Sequence, residues 1–174
     1  MTIINLFGGP GTGKSTVAAE VFSKLKRNGI NAEYVNEYMK DKAWEYDDMP
    51  TDYRPKIFAW QEYIFAKQFK KIRQCNSVDV IVTDSPTLLG LIYMGKDYDL
   101  PSMRNVIIEA HNLHKSVNIF LNRVKPYNPK GRFQTEEEAI RKDKEIKSML
   151  IDNNIDFICL DANEQVSNII ANMI

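Results

Sequence analysis

Gly8-Gly9-Pro10-Gly11-Thr12-Gly13-Lys14-Ser15 brings four glycines, an ammonium and two hydroxyls into one run of eight residues. The run satisfies G-x-x-x-x-G-K-[ST] at every position. Glycines leave successive amide N–H groups free to converge on one point, and such a concave turn attracts anions. A helix beginning at its end would add partial positive charge. The chemistry favoured is the cradling of a nucleotide's phosphates. ATP would be held by Gly8 to Ser15 together with Thr16, with Lys14 reaching the β- and γ-phosphates and the Ser15 hydroxyl ligating Mg2+. Kinases, switches and motors share such a turn, so other residues must separate them.

Two carboxylates are candidates for the rest of the chemistry. Asp84 ends the apolar run Val80-Ile81-Val82-Thr83. A carboxylate at the C-terminal edge of a parallel strand lies where ligands bind in such sheets. It would hold magnesium or accept the acceptor hydroxyl's proton, and it would also suit the cap of a helix opened by Pro86. Glu37, just past Ala32-Glu33-Tyr34-Val35, reaches the same edge and is the second candidate base, or else an exposed glutamate.

Cations follow later in the chain. Arg123, Lys125, Lys130 and Arg132 surround Pro126-Tyr127-Asn128-Pro129-Lys130-Gly131, with Arg141 and Lys142 beyond. Phosphoryl transfer spreads negative charge over the equatorial oxygens, so a charged loop that closes over them would stabilise the transition state. A lid over about 123–135 is one reading, and a solvated basic loop is the other. Lys67, Lys70, Lys71 and Arg73 read as a solvated helix face. Gln61 and Gln68 share that helix with Trp60, Tyr63 and Phe65. One amide facing a cleft would read a base edge, and the aromatics would stack on a base or fill the core. His111 and His114 read as surface or packing residues, since no carboxylate or cysteine completes a metal set with them. Cys75 and Cys159, lacking nearby histidines, read as free thiols in core or helix.

Alternating strands and helices must position these groups. Thr2 to Phe7, Ala32 to Val35, Val78 to Asp84, Val117 to Leu121 and Asp156 to Leu160 are short β-branched or apolar runs. Between them, helical spacing predicts helices over Thr16 to Arg27, about Arg54 to Cys75, the stretch after Pro86, the stretch after Pro101, and Thr135 to about Asn153. A short terminal helix closes the chain. Asn28-Gly29 stops the first helix, and Thr135-Glu136-Glu137-Glu138 is a capping box. Such alternation gives βαβ units. The expected fold is therefore α/β: a five-stranded parallel sheet with helices on both faces, three layers in all, of the P-loop nucleotide-kinase kind.

The chain has 174 residues, 44% hydrophobic and 26% charged, which suits one globular domain over 1–174. Its 23 basic and 23 acidic residues cancel, which argues against retention on nucleic acid by overall charge. No signal-peptide-like start and no apolar run of about 20 residues are present. A cytoplasmic protein without a membrane partner is expected.

Taken with the order and position of Phe7 to Ser15, Asn36-Glu37-Tyr38, Gln61 with Tyr63, Thr83 to Pro86 and the Arg123 to Arg132 loop, the chain resembles small P-loop nucleoside and nucleotide kinases. Many of those are phage-encoded, which implies a host cytoplasm. It is also similar to the ribosylnicotinamide kinase domain of bifunctional bacterial NAD-synthesis regulators. The resemblance implies Glu37 as general base, Gln61 as reader of the acceptor, and Arg123 and Arg132 as phosphate clamps. Asp84-Ser85-Pro86 stands where deoxynucleoside kinases carry Glu-Arg-Ser, a departure from the free-nucleoside pattern. Phage relatives that phosphorylate 5-hydroxymethyluridine in DNA imply a further acceptor, a primary hydroxyl on a modified base, and so a part in DNA modification.

Two functions are therefore expected from the sequence. The first is an ATP- and Mg2+-dependent kinase acting on a nucleoside, a nucleotide or a modified base in DNA. Its catalytic set would be Lys14, Glu37, Asp84, Arg123 and Arg132. The second is a nucleotide-binding regulator with slow ATP hydrolysis, for which the acidic, irregular stretch from Met39 to Tyr53 would serve as switch segment; the same stretch would equally serve a kinase as a flap over its acceptor pocket.

Overall fold

A computed structural model of the chain describes residues 1–40, 60–94, 101–128 and 135–174. Strands β1 (Thr2–Phe7), β2 (Ala32–Val35), β3 (Val80–Thr83), β4 (Lys115–Asn122) and β5 (Ile158–Asp161) form one parallel sheet in the order β2-β3-β1-β4-β5. The glycine-rich run leaves the central strand, and helix α1 (Lys14–Arg27) starts within it. The later helices are α2 (Gln61–Gln74), α3 (Gly90–Tyr93, preceded by a 3-10 turn at Thr87–Leu89), α4 (Pro101–Asn112), α5 (Glu136–Asp152) and α6 (Val166–Ala171).

Strand alternation sorts the side chains to two cores. On one face Ile4, Leu6, Val80 and Val82 meet Val17, Val21 and Leu25 of α1 and Val166 and Ile170 of α6. On the other, Phe7 and Phe120 meet Phe65 of α2, Leu88, Ile107 of α4, and Ile146 and Leu150 of α5. Each such side chain fully removed from water contributes about 1.5–3 kcal/mol. The α/β three-layer expectation holds, with helices on both faces of five parallel strands.

The helix ends follow from local chemistry. Gly29, at φ +79°, ends α1: its N–H donates to the Lys26 carbonyl and that of Ile30 to Leu25, each at 3.0 Å. This is the paired closure that a left-handed glycine permits. At the start of α5, Thr135 Oγ1 accepts the Glu138 N–H at 3.2 Å, while Glu138 Oε2 accepts that of Thr135 at 2.8 Å. That is the reciprocal capping box read from the sequence.

Three expectations change. The long helix before Cys75 begins at Gln61 among the described residues, since Trp60 has φ −87° and ψ 68°, and the part expected over 54–59 lies outside them. Of the segment expected to be irregular from Met39, Met39 and Lys40 are helical and the remainder lies outside the described residues. Cys159 is exposed, because β5 is the edge strand and Ile158 beside it is 47% exposed. Cys75 is half-buried at the end of α2, and both thiols are free. His111 is buried at the end of α4, where burial lowers its pKa.

One polar pair interrupts the apolar sheet. Asn5 and Asn118 face each other in the β1–β4 register, both buried, and Asn5 Nδ2 donates to Asn118 Oδ1 at 2.9 Å. Asn118 Nδ2 in turn donates to the Asp156 carbonyl at 3.0 Å. Among the described residues no helix is long and apolar enough to cross a membrane.

Candidate active site

The C-terminal edges of β2, β3, β1 and β4 deliver the sequence candidates to one place. Gly13, at φ +93°, is the residue before α1, a conformation that side chains rarely adopt. Behind it the loop folds over itself: Thr12 Oγ1 donates to the Gly9 carbonyl at 3.1 Å. Lys14 lies back across the loop, its Nζ donating to the Gly8 and Gly9 carbonyls at 2.7 and 2.9 Å. Burial lowers the Lys14 pKa; Arg123 pushes the same way, while Glu37, Asp84 and Asp143 oppose it. A poorly hydrated ammonium among carboxylates therefore faces the cradle, and phosphate oxygens would replace the solvation it lacks.

Asp84 follows the last paired residue of β3 and is 2% exposed. The Tyr34 hydroxyl donates to its Oδ2 at 2.8 Å, while Oδ1 has no hydrogen-bond partner among the described residues. The Tyr34 phenol is pushed well above its usual range, first by burial and then by the Asp84 charge. A buried carboxylate oxygen left unpaired is costly in a folded protein unless something else meets it. Glu37 lies just past β2, half-buried, and its charge acts on Lys14, Tyr34 and Tyr93. The charges of both carboxylates, each at the end of one of two neighbouring strands, act on Lys14.

Gln68, weighed in the sequence as a reader of bases, is buried and does something else. Its Oε1 accepts the Tyr38 N–H at 2.9 Å and its Nε2 donates to the Asn36 carbonyl at 3.3 Å. One side-chain amide therefore clasps the backbone on either side of Glu37. Lys71, expected in the solvated cluster, donates to Asn36 Oδ1 at 2.5 Å and supports the same turn. Gln61 is the first residue of α2 and is half-buried, next to Trp60 at 62% exposure.

Arg123 sits at the root of the basic loop, directly after β4, and its side chain is only 12% exposed. Its Nη2 donates to the Pro10 carbonyl at 2.8 Å and to Asp143 Oδ2 at 3.0 Å. Its Nη1 is buried with no hydrogen-bond partner among the described residues. Arg132 and Lys130 lie outside the described residues.

Asp143 escaped the sequence reading. Its Oδ1 accepts the Gly9 N–H while Oδ2 holds Arg123, so α5 is fastened to the glycine loop. The clue available was the spacing of Ala139 and Asp143 one helical turn apart, a small residue and a carboxylate on one face. Contact is close enough that a Cβ on Gly9 would come within 2.6 Å of Asp143 Oδ1 and 2.7 Å of the Ala139 carbonyl. Gly9→Ala should therefore force α5 from the loop and destabilise the fold by about 1–3 kcal/mol. Urea unfolding measures this, and an unchanged midpoint would contradict the packing.

Tyr93 completes the surroundings. Burial, then the charges of Glu37, Glu145 and Asp143, push its phenol up to about 12, so it stays protonated at neutral pH. A separate cavity of about 530 Å³ between α3, α4 and α5, lined by Leu91, Arg104, Arg141, Lys144 and Met149 among others, shares no residue with the glycine loop.

Comparisons with known proteins agree with this architecture. A family profile described as AAA domain matches residues 3–165. No curated protein matches. Among solved structures, NadR protein in complex with NR aligns with a TM-score of 0.69 at 14% identity, covering 98% of this chain and 51% of that one. NadR protein in complex with NAD and AMP-PNP aligns with a TM-score of 0.68 at 13% identity, covering 98% and 49%. The chain thus spans about half the length of these structures. At such identity the likeness shows the fold.

Proposed function

Because the chain belongs to the AAA domain family of P-loop NTPases, we propose that it is an ATP- and Mg2+-dependent kinase transferring the γ-phosphate to a hydroxyl of a nucleoside- or nucleotide-type acceptor. The observation that carries this reading is the pairing of two buried, unpartnered groups beside Lys14. These are an acceptor atom, Asp84 Oδ1, and a donor atom, Arg123 Nη1, neither with a hydrogen-bond partner among the described residues. The first suits a cation and the second a phosphate oxygen.

In this reading the glycine-loop amides and Lys14 bind the β- and γ-phosphates of ATP. Ser15 Oγ and Asp84 are the residues that would hold magnesium, which would supply neutralisation of the negative charge on the phosphates. Asp84 Oδ2 is occupied by Tyr34, which favours this role over proton transfer and leaves Glu37 to accept the proton of the attacking hydroxyl. Arg123, with Arg132 from the lid over 123–135, stabilises charge on the phosphoryl group in flight.

The acceptor meets Glu37, Gln61 and the exposed rings at the start of α2. Trp60 and Tyr63 offer stacking surface, and Lys67 lies 5.1 Å from the Tyr63 ring centre. That surface suits a base, including 5-hydroxymethyluridine in DNA. NR, present in one of the similar NadR structures, is a second candidate to test as acceptor.

The experiment is transfer of label from γ-labelled ATP to separate pools. These are free nucleosides with NR, nucleoside monophosphates, plain DNA, and DNA carrying 5-hydroxymethyluridine. Label is expected in one pool. Label released only as free phosphate, whichever pool is present, would replace the kinase by a nucleotide-driven regulator. The Asp143 link between α5 and Gly9 would then be its relay.

A further inference from the structure

Tyr34 takes no direct part in the reaction just described, yet it touches one of its groups. The register Tyr34↔Val82 puts residues 34, 82 and 84 on one face of the sheet, the face covered by α1. Its ring packs near Phe22 of α1, with ring centres 6.5 Å apart. The hydroxyl at its tip donates to Asp84 Oδ2 at 2.8 Å.

A hydroxyl has one proton and two lone pairs. A carboxylate that ligates a cation through one oxygen is oriented by what its other oxygen accepts. The Tyr34 phenol gives its proton to Asp84 Oδ2. What remains for a cation is Asp84 Oδ1, which has no hydrogen-bond partner among the described residues.

We infer that Tyr34 is a positioning residue for the metal–nucleotide complex, its hydroxyl holding Asp84 Oδ2 so that Oδ1 is presented to the cation. The inference rests on the metal role of Asp84 proposed above. Groups that orient metal ligands in this way typically account for about 10–100-fold in metal affinity.

The test is Tyr34→Phe, which keeps the ring against Phe22 and removes one oxygen. Mn2+ is the probe, titrated into protein saturated with a non-hydrolysable ATP analogue. Free Mn2+ is followed by electron paramagnetic resonance, and folding by circular dichroism. The variant is expected to bind Mn2+ about tenfold or more weakly, with its affinity for the metal-free analogue within about twofold of the parent. Asp84→Asn and the double variant are measured alongside. If Tyr34 acts through Asp84, the double variant binds Mn2+ no more weakly than Asp84→Asn alone. Equal Mn2+ affinity in Tyr34→Phe and the parent would overturn the inference while leaving the metal site standing. A fully additive loss in the double variant would also overturn it. A parent protein that holds no Mn2+ with the nucleotide would overturn the metal site and the inference together.

Discussion

Lys14→Ala will lower phosphoryl transfer by about 10³-fold while leaving the fold intact, the range seen when one preorganised donor is removed from a transition-state site. The ammonium of half-buried Lys14 donates to two loop carbonyls, and desolvation lowers its pKa against the charges of Glu37, Asp84 and Asp143. Its contact with phosphate therefore forms in a setting where charge is poorly screened. Alanine is the strongest helix former and would stand at the first residue of α1, so the helix has no reason to fray. Lys14→Arg will not restore activity, because a planar fork does not replace a compact point charge in a glycine loop. Single-turnover transfer from labelled ATP, with circular dichroism for the fold, decides the matter. Turnover within tenfold of the parent in Lys14→Ala would remove the loop from the reaction.

Glu37→Gln carries the second large effect. A positioned general base contributes about 10²–10⁴-fold, and the amide keeps the shape of the side chain while giving up its basicity. The backbone around it should not move, since Gln68 and Lys71 hold Asn36 and Tyr38 without using the Glu37 side chain. The expected signature is a fall in kcat with little change in the KM for ATP, as for an interaction made in the transition state. A kcat unchanged in Glu37→Gln would return the proton-accepting role to Asp84 or to solvent.

Local chemistry made the glycine loop and most of the strands readable. The strand Thr2–Phe7, the glycine run and the helix after it declare themselves through alternation, turn residues and spacing. Asp84 was readable because a strand end in a parallel sheet is a known place for ligands. The Thr135 cap was readable because its partners lie three residues apart. Asp143 was not, since it stands in Arg141-Lys142-Asp143-Lys144-Glu145 like any charge on a solvated helix. Only the packing of α5 across β1 brings it to Gly9, 134 positions away. Gln68 misled for a related reason. Its helix face was legible, but the end of β2 that meets that face is a tertiary fact. Tyr34 was legible only as part of a strand, because alternation reports which face a side chain takes, and not what its tip touches.

The Asn5–Asn118 pair has a consequence for how this site comes to be assembled. Side chains alternate along a strand, so pairing β1 with β4 one residue out of step would turn Asn118 to the opposite core. Two amides would then be buried without partners, at about 1–3 kcal/mol each. The same slip would carry Arg123 about 3.3 Å along the sheet, out of reach of the Pro10 carbonyl it now meets at 2.8 Å. An apolar pair would pack as well in the right register and punish the wrong one less. The two asparagines therefore act as a proofreading step in strand pairing, checked in the middle of the sheet and read out at its end, where the guanidinium meets the phosphate loop.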